Sequence, residues 1–212
     1  MKSFKLGIYG GTFAPIHNGH INAAHKFYDE LSLDKLLIIP TFIPPHKSPV
    51  LGDDPEARLE MTAIAFEGDG RNIEVSDYEI RKGGKSYTYL TLRHFFEPNT
   101  EIYFLCGTDM FLTFPEWKNP KEIFSLCKVA LIRREKISLE TEEKLRKAKE
   151  KYISEYSADI VEIITEPIEI SSSEIRDKIS LSEDVSGLVP PRVYEYIIKN
   201  RLYRDCSDGG SL

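Results

Sequence analysis

The sequence is poor in cysteine and in long apolar runs. Its three cysteines, Cys106, Cys127 and Cys206, are irregularly spaced, so they indicate neither a disulfide framework nor a CxxC or HExxH metal site. No apolar stretch approaches the length that crosses a membrane, and the opening residues lack the apolar segment of a signal peptide. We therefore expect a cytoplasmic protein that does not bind a membrane.

The chain also lacks an excess of positive charge. It carries 28 Lys and Arg residues against 34 Asp and Glu residues, which gives a net charge of −6. Because nucleic acids attract basic surfaces, this balance argues against a nucleic-acid partner, and any phosphate site has to be a local basic cluster. A small phosphorylated substrate fits this composition better than a polymer.

The chain length of 212 residues predicts one domain, residues 1–212, in which strands and helices alternate. Strands are predicted at 4–9, 35–40, 73–75, 101–106, 128–132 and 159–164, and helices at 18–31, 55–68, 87–96, 120–126, 139–156, 171–179 and 191–202. This order predicts an α/β fold, a Rossmann-like, doubly wound and mainly parallel sheet of about five or six strands. We expect a small C-terminal helical part at 171–203 and a flexible tail at 204–212, and a homo-oligomer is compatible with the sequence.

The segment from Gly10 to His20 reads GGTFAPIHNGH and joins the first predicted strand to the first predicted helix. At this edge of a parallel sheet, the N–H groups of a loop and of a helix's first turn bind anions. The segment has neither the GxxxxGK[ST] pattern of a P-loop nor the GxGxxG pattern of dinucleotide-binding enzymes. It therefore predicts a phosphate site of another kind.

Two histidines in this segment, His17 and His20, lie three residues apart. A cation near a helix N-terminus opposes the helix dipole unless an anion is bound there. We interpret the pair as contacting phosphate. The alternative is that both rings satisfy backbone groups of a tight turn.

A second helix opening carries the sequence ISSSEIR, residues 170–176. Ser171 and Glu174 have the spacing of a capping box, and Arg176 again places a cation in the first turns of a helix. A bound anion would stabilise this arrangement. The alternative is an ion pair of Arg176 with Glu174 or Asp177.

Two further candidates lie in proline-rich loops. His46 and Lys47 follow Pro44 and Pro45, which fits either a lid that orders over a ligand or an ordinary surface loop. Trp117 is the single tryptophan, and its ring could stack on an aromatic substrate or pack against the helix that follows.

The GGTFAPIHNGH and ISSSEIR segments resemble the HxGH nucleotidyltransferase superfamily. Over nearly the whole chain, the sequence is similar to the bacterial nicotinate-nucleotide adenylyltransferases. The motifs that carry this closer resemblance are Pro44-Pro45-His46-Lys47, Arg58 with Met61, Ser86-Tyr87-Thr88, Gly107-Thr108-Asp109 and Trp117.

The resemblance implies adenylyl transfer from ATP to nicotinate mononucleotide, with Mg²⁺ held mainly by the phosphates of ATP and no metal site of the protein's own. The products would be deamido-NAD and pyrophosphate, in NAD biosynthesis. The implied catalytic residues are His17, His20 and Arg176. The implied ATP-binding residues are Gly10, Gly11, Thr12, Asp109, Ser172 and Ser173. The implied acceptor-binding residues are His46, Lys47, Ser86, Tyr87, Thr88 and Trp117.

The sequence departs from this family at Ala14 and Leu90, where Asp is usual, so the role of a carboxylate in the first loop is in doubt. Two other functions stay open. One is a transferase of the same superfamily that acts on pantetheine phosphate or a cytidylyl acceptor. The other is a regulator that binds nucleotide without catalysis, which the loss of the carboxylate at Ala14 favours.

Overall fold

A computed structural model describes residues 3–45, 54–134, 137–165 and 170–204. The strands are β1 (Phe4–Gly11), β2 (Lys35–Pro40), β3 (Ile73–Val75), β4 (Thr100–Gly107), β5 (Lys128–Arg134) and β6 (Ile160–Thr165). The helices are α1 (Asn18–Leu31), α2 (Pro55–Phe66), α3 (Tyr78–Lys82), α4 (Thr88–Phe95), α5 (Thr108–Leu112), a 3-10 helix (Phe114–Glu116), α6 (Pro120–Leu126), α7 (Leu139–Tyr156), α8 (Ser172–Ser180) and α9 (Pro191–Lys199).

The six strands form one parallel sheet in the order β3-β2-β1-β4-β5-β6. The chain runs outward from β1 to β3 and then returns to place β4 on the other side of β1. This is the doubly wound order of a Rossmann-like sheet, so the predicted fold class is confirmed. Because the winding direction changes between β1 and β4, the loops that leave these two strands lie side by side. Ligands bind at this point in such sheets.

The core has two layers because strand side chains alternate between the faces of the sheet. In β2, Leu36 and Ile38 point to one face, and Leu37 and Ile39 point to the other. The first face is covered by α1, α2, α8 and α9, and the second by α4 to α7. The C-terminal helices α8 and α9 therefore share one apolar cluster with α1 and α2.

The helix starts follow the capping residues in the sequence. Asp54 accepts a hydrogen bond from the backbone N–H of Glu56, and Pro55 stands at the first position of α2. Ser171 accepts one from the N–H of Glu174 at 3.1 Å, as its capping-box spacing indicates.

The structure differs from the sequence prediction in several short segments. The 3-10 helix Phe114–Glu116 was not predicted, and neither were the helices α3 and α5. Both helices have five residues, too few for a periodic pattern, and each is fixed by burial of one apolar side chain, Phe111 in α5 and Ile80 in α3. Helix α9 ends at Lys199, although the pattern extended to Leu202.

No helix within the described ranges is long and apolar enough to cross a membrane. Of the predicted tail, residues 205–212 lie outside the described part of the chain.

Gly7 permits the close contact of α1 with β1, so we expect Gly7→Ala to destabilise the protein. A Cβ at this position would lie within 3.0 Å of Leu33, Leu36 and Phe27. Overpacking of this kind lowers the free energy of unfolding by about 1–3 kcal/mol. At Gly10 the nearest atom to an added Cβ is 3.9 Å away, so Gly10→Ala is the matched control. The measurement is urea unfolding of both variants. Equal losses of unfolding free energy in Gly7→Ala and Gly10→Ala would contradict the packing argument.

Candidate active site

The β1–α1 loop, residues 12–17, is held by side chains from two distant helices. Arg58 in α2 donates from Nη1 to the carbonyl of Thr12 at 2.8 Å. From α8, Arg176 donates to the carbonyl of Ala14 at 2.7 Å, and the hydroxyl of Ser172 donates to the carbonyl of Pro15 at 3.0 Å. The structure thus brings the two predicted phosphate motifs, GGTFAPIHNGH and ISSSEIR, into direct contact.

Gly11 lets Phe13 fold back under the loop. Phe13 has a φ of 50°, a left-handed value that is strained for a side chain of this size. Its buried ring makes edge contacts with Tyr9 and His20, at centroid distances of 5.3 and 5.1 Å. A Cβ at Gly11 would lie 2.6 Å from the Phe13 ring. Glycine is therefore required here by close packing.

His17 and His20 form a stacked pair at the N-terminus of α1. Their ring centroids are 3.6 Å apart and the ring planes differ by 22°. His17 is the N-cap, and its Nδ1 accepts the backbone N–H of His20 at 3.3 Å. Burial lowers the pKa of His17 to about 4, so the ring is neutral at pH 7. Because Nδ1 accepts this bond, the neutral ring carries its proton on Nε2, which is therefore a donor.

Arg176 is half-buried at the start of α8. Its two described hydrogen bonds go to the carbonyl of Ala14 and, at 3.2 Å, to the hydroxyl of Ser173, and not to Glu174 or Asp177. Neither partner is charged, so these contacts do not neutralise the guanidinium. The positive charge beside the loop is compatible with an anion site.

A first cavity of about 430 Å³ lies on one side of the loop. Of the predicted site residues, it is lined by Gly10, Gly11, Thr12, Ser86, Tyr87, Thr88, Asp109 and Trp117. Its wall also includes the apolar side chains of Ile8, Leu92 and Phe104. An apolar chamber with a few polar groups at its margin suits a small aromatic ligand.

A second cavity of about 700 Å³ opens between α1 and the ends of β4 and β5. It is lined by Tyr9, Gly19, Gly107 and Ile132 among others. Asp109 and Met110 line both cavities, so the two meet at the start of α5. The arrangement can hold two ligands with their reactive ends close to one another.

Trp117 lies between the preceding 3-10 helix and the first cavity, so its stacking on an aromatic substrate stays a prediction. Its ring packs 4.7 Å from the ring of Phe114 in the preceding 3-10 helix, and its Nε1 donates to the Thr113 hydroxyl at 3.3 Å. The same side chain lines the first cavity. It is thus a fixed aromatic surface at the cavity wall.

Three polar residues that the fold places at the site had no role predicted from the sequence, although Arg58 stands in one of the family motifs. Arg58 is fully buried and also donates to the carbonyl of Phe42 at 3.1 Å. Glu79 and Thr41 line the first cavity. Thr41 directly follows a buried strand, a position that could have indicated it, whereas Glu79 lies in the short helix α3, which carries no periodic signal.

Two further predictions concern the loop with His46 and Lys47 and the Mg²⁺ ion. His46 and Lys47 lie outside the described residues, so their predicted contact with substrate stays a prediction. Within residues 3–45, 54–134, 137–165 and 170–204, no three His, Cys, Asp or Glu side chains are grouped to hold a metal ion. Binding of Mg²⁺ through the phosphates of ATP stays a prediction, and Mg²⁺ commonly keeps several waters and few protein carboxylates.

Comparison with known proteins agrees with this geometry. Residues 8–178 match the family model described as cytidylyltransferase-like. A Clostridium tetani protein named "Probable nicotinate-nucleotide adenylyltransferase" is 39% identical over 202 residues, which cover 94% of this chain and 99% of that protein. A Clostridium acetobutylicum protein of the same name is 41% identical over 205 residues, covering 94% and 98%.

Among solved structures, the Plasmodium falciparum nicotinic acid mononucleotide adenylyltransferase complexed with NaAD superposes with a TM-score of 0.72 and 22% identity, covering 94% of this chain and 97% of that one. At this identity the similarity establishes the fold. The sequence relatives go further, and the chain belongs to the nicotinate-nucleotide adenylyltransferase family of cytidylyltransferase-like proteins.

Burial of neutral His17 should make the protein less stable in acid. The pKa of His17 is about 4 in the folded protein, below the value near 6.5 of an exposed histidine. Between these two pKa values the unfolded chain binds a proton that the folded protein does not bind. The free energy of unfolding should therefore fall by about 2 kcal/mol between pH 7 and pH 5 from this group alone.

The test is urea unfolding of the ligand-free protein and of His17→Asn at both pH values. Asparagine retains the N-cap acceptor but does not titrate. The variant should lose about 2 kcal/mol less on acidification than the parent. An equal loss in the two proteins would show that His17 is not held neutral.

Proposed function

We propose that this protein transfers the adenylyl group of ATP to nicotinate mononucleotide and releases pyrophosphate. The observation that carries the proposal is the junction of the two cavities at Asp109, next to the β1–α1 loop and the stacked pair of His17 and His20. Family membership at about 40% identity supports the same reaction.

ATP is assigned to the second cavity and the loop. Its adenosine would occupy the space between α1 and the ends of β4 and β5, with Asp109 at the ribose. Its phosphates would lie along Gly10, Gly11 and Thr12 and would point towards the first turns of α1 and α8. The first turns of α8 contribute Ser172, Ser173 and Arg176. Helix N-termini attract phosphate because their first N–H groups lack intrahelical partners.

Nicotinate mononucleotide is assigned to the first cavity. The pyridine ring would lie against Trp117, and its carboxylate would meet the first turn of α4 near Ser86, Tyr87 and Thr88. Tyr87, the N-cap of α4, makes no side-chain capping bond, so its side chain does not occupy the N–H groups of that turn. His46 and Lys47 are proposed to contact the acceptor phosphate.

The chemistry requires placement and charge stabilisation more than a protein nucleophile. A phosphate oxygen of the acceptor attacks the α-phosphorus of ATP, and the bond from that phosphorus to the pyrophosphate oxygen breaks. The acceptor phosphate is already ionised at neutral pH, so no side chain has to remove a proton. The Nε2–H of His17 and the ring of His20 would stabilise charge on the transferred group, and Arg176 would stabilise the departing pyrophosphate. Mg²⁺ bound to ATP would neutralise the same oxygens.

A pyrophosphate-release assay across acceptors separates the candidate functions. With ATP, we expect turnover on nicotinate mononucleotide at least about tenfold faster than on nicotinamide mononucleotide or pantetheine phosphate, because the amide offers a donor where a carboxylate would accept. CTP should replace ATP poorly. In a folded His20→Ala variant, kcat should be about a hundredfold lower than in the parent, with a smaller change in the KM for ATP. ATP binding without turnover on any acceptor would favour the regulator.

Trp117 provides a test of the acceptor site. Trp117→Ala should raise the KM for nicotinate mononucleotide by about tenfold to a hundredfold, because stacking and apolar burial are both lost. The KM for ATP should change far less, and Trp117→Phe should restore most of the affinity. An unchanged acceptor KM in folded Trp117→Ala would limit the ring to packing on Phe114.

A further inference from the structure

Glu79 is a buried acid with one unused oxygen at the wall of the first cavity. Its side chain is 6% exposed, and its Oε1 accepts the hydroxyl of Thr91 at 2.5 Å. Its Oε2 is buried and has no hydrogen-bond partner among the described residues. A buried polar atom without a partner is unfavourable, so a ligand of this cavity is expected to supply one.

Thr41 presents a second atom of this kind from another element. Its Oγ1 is also buried without a hydrogen-bond partner in the described ranges, and the residue lines the same cavity. The backbone fixes its position, because the Thr41 N–H donates to the carbonyl of Gly11 and the Phe42 N–H donates to the Ser86 hydroxyl, both at 2.9 Å. The Ser86 hydroxyl in turn hydrogen-bonds to the Glu79 carboxyl, and Oε2 is the oxygen of that carboxyl without a partner in the described ranges.

The two atoms select the chemistry of the group they would bind. Burial raises the pKa of Glu79, and the Ser86 and Thr91 hydroxyls oppose this shift. A hydroxyl group of a ligand can donate a hydrogen bond to Glu79 when the acid is ionised, or accept one when it is protonated. The same ligand hydroxyl can also donate to the Thr41 hydroxyl or accept from it. A second carboxylate would be repelled by ionised Glu79, and an apolar group would leave both atoms without partners.

We propose that Glu79 and Thr41 form a hydroxyl-binding subsite that determines acceptor specificity. The inference rests on the proposed function, because the hydroxyl in question is one on the ribose of the acceptor mononucleotide. Thr91 is then a positioning residue that orients Glu79. Recognition of the sugar would be separate from recognition of the pyridine ring at Trp117.

The experiment combines variants with altered acceptors. Binding of nicotinate mononucleotide and of its 2′-deoxy and 3′-deoxy analogues is measured by calorimetry, and KM values by pyrophosphate release. The parent protein should bind one deoxy analogue about tenfold more weakly. Thr41→Val and Glu79→Gln should each weaken the binding of nicotinate mononucleotide by about tenfold or less. The KM for ATP should stay within about twofold of the parent value.

The decisive result is the combination of the two changes. In Thr41→Val, the analogue that lacks the recognised hydroxyl should bind no more weakly than nicotinate mononucleotide does. Glu74→Gln, at the exposed position of β3, is the matched control for the Glu79 change and should leave every constant unaltered. Equal binding of all three acceptors by the parent protein, or equal losses for all three in the variants, would overturn the subsite.

The outcome can be distinguished from failure of the proposed function. Equal binding of the three acceptors together with normal turnover would refute only the subsite. Absence of both binding and turnover with nicotinate mononucleotide would refute the proposed acceptor and this inference with it.

Discussion

Three side chains that bind carbonyls of the β1–α1 loop hold the site together. Arg58 donates to the carbonyl of Thr12, Arg176 to that of Ala14 and Ser172 to that of Pro15, from two helices that are far apart in sequence. Two of the donors are charged, and charge-assisted hydrogen bonds are stronger than neutral ones. The shape of the loop therefore depends on the complete fold, since α8 reaches the loop only when its Ile175 and Ile179 are packed in the core.

Burial decides the chemistry of the histidine pair. An exposed histidine near a helix N-terminus would gain or lose charge close to neutral pH. Burial of His17 keeps the ring uncharged, and the N-cap bond directs its proton to Nε2. A neutral donor in this place avoids the unfavourable interaction of a cation with the helix dipole. Positive charge is instead supplied next to the loop by Arg176.

The junction of the cavities follows from the sheet order. Neighbouring positions of β1 and β4 bring the loop at Gly11 next to the start of α5, although the two segments are distant in the chain. Asp109 can therefore line both cavities. An enzyme that joins two nucleotides needs such a shared boundary, because the reacting phosphates have to meet in line.

The sequence by itself determined the class of fold and most of the polar loop residues. The alternation of apolar runs and helical patterns, and the residues at helix starts such as Ser171, depend on local chemistry and can be recognised without the fold. The contact between the two phosphate motifs, the partners of Arg176 and the burial of His17 were decided by tertiary structure. So were Glu79 and Thr41, whose unpartnered oxygens depend on what surrounds them. Hydrogen bonding and burial between distant segments leave no periodic signal in a sequence, and only packing brings those segments together.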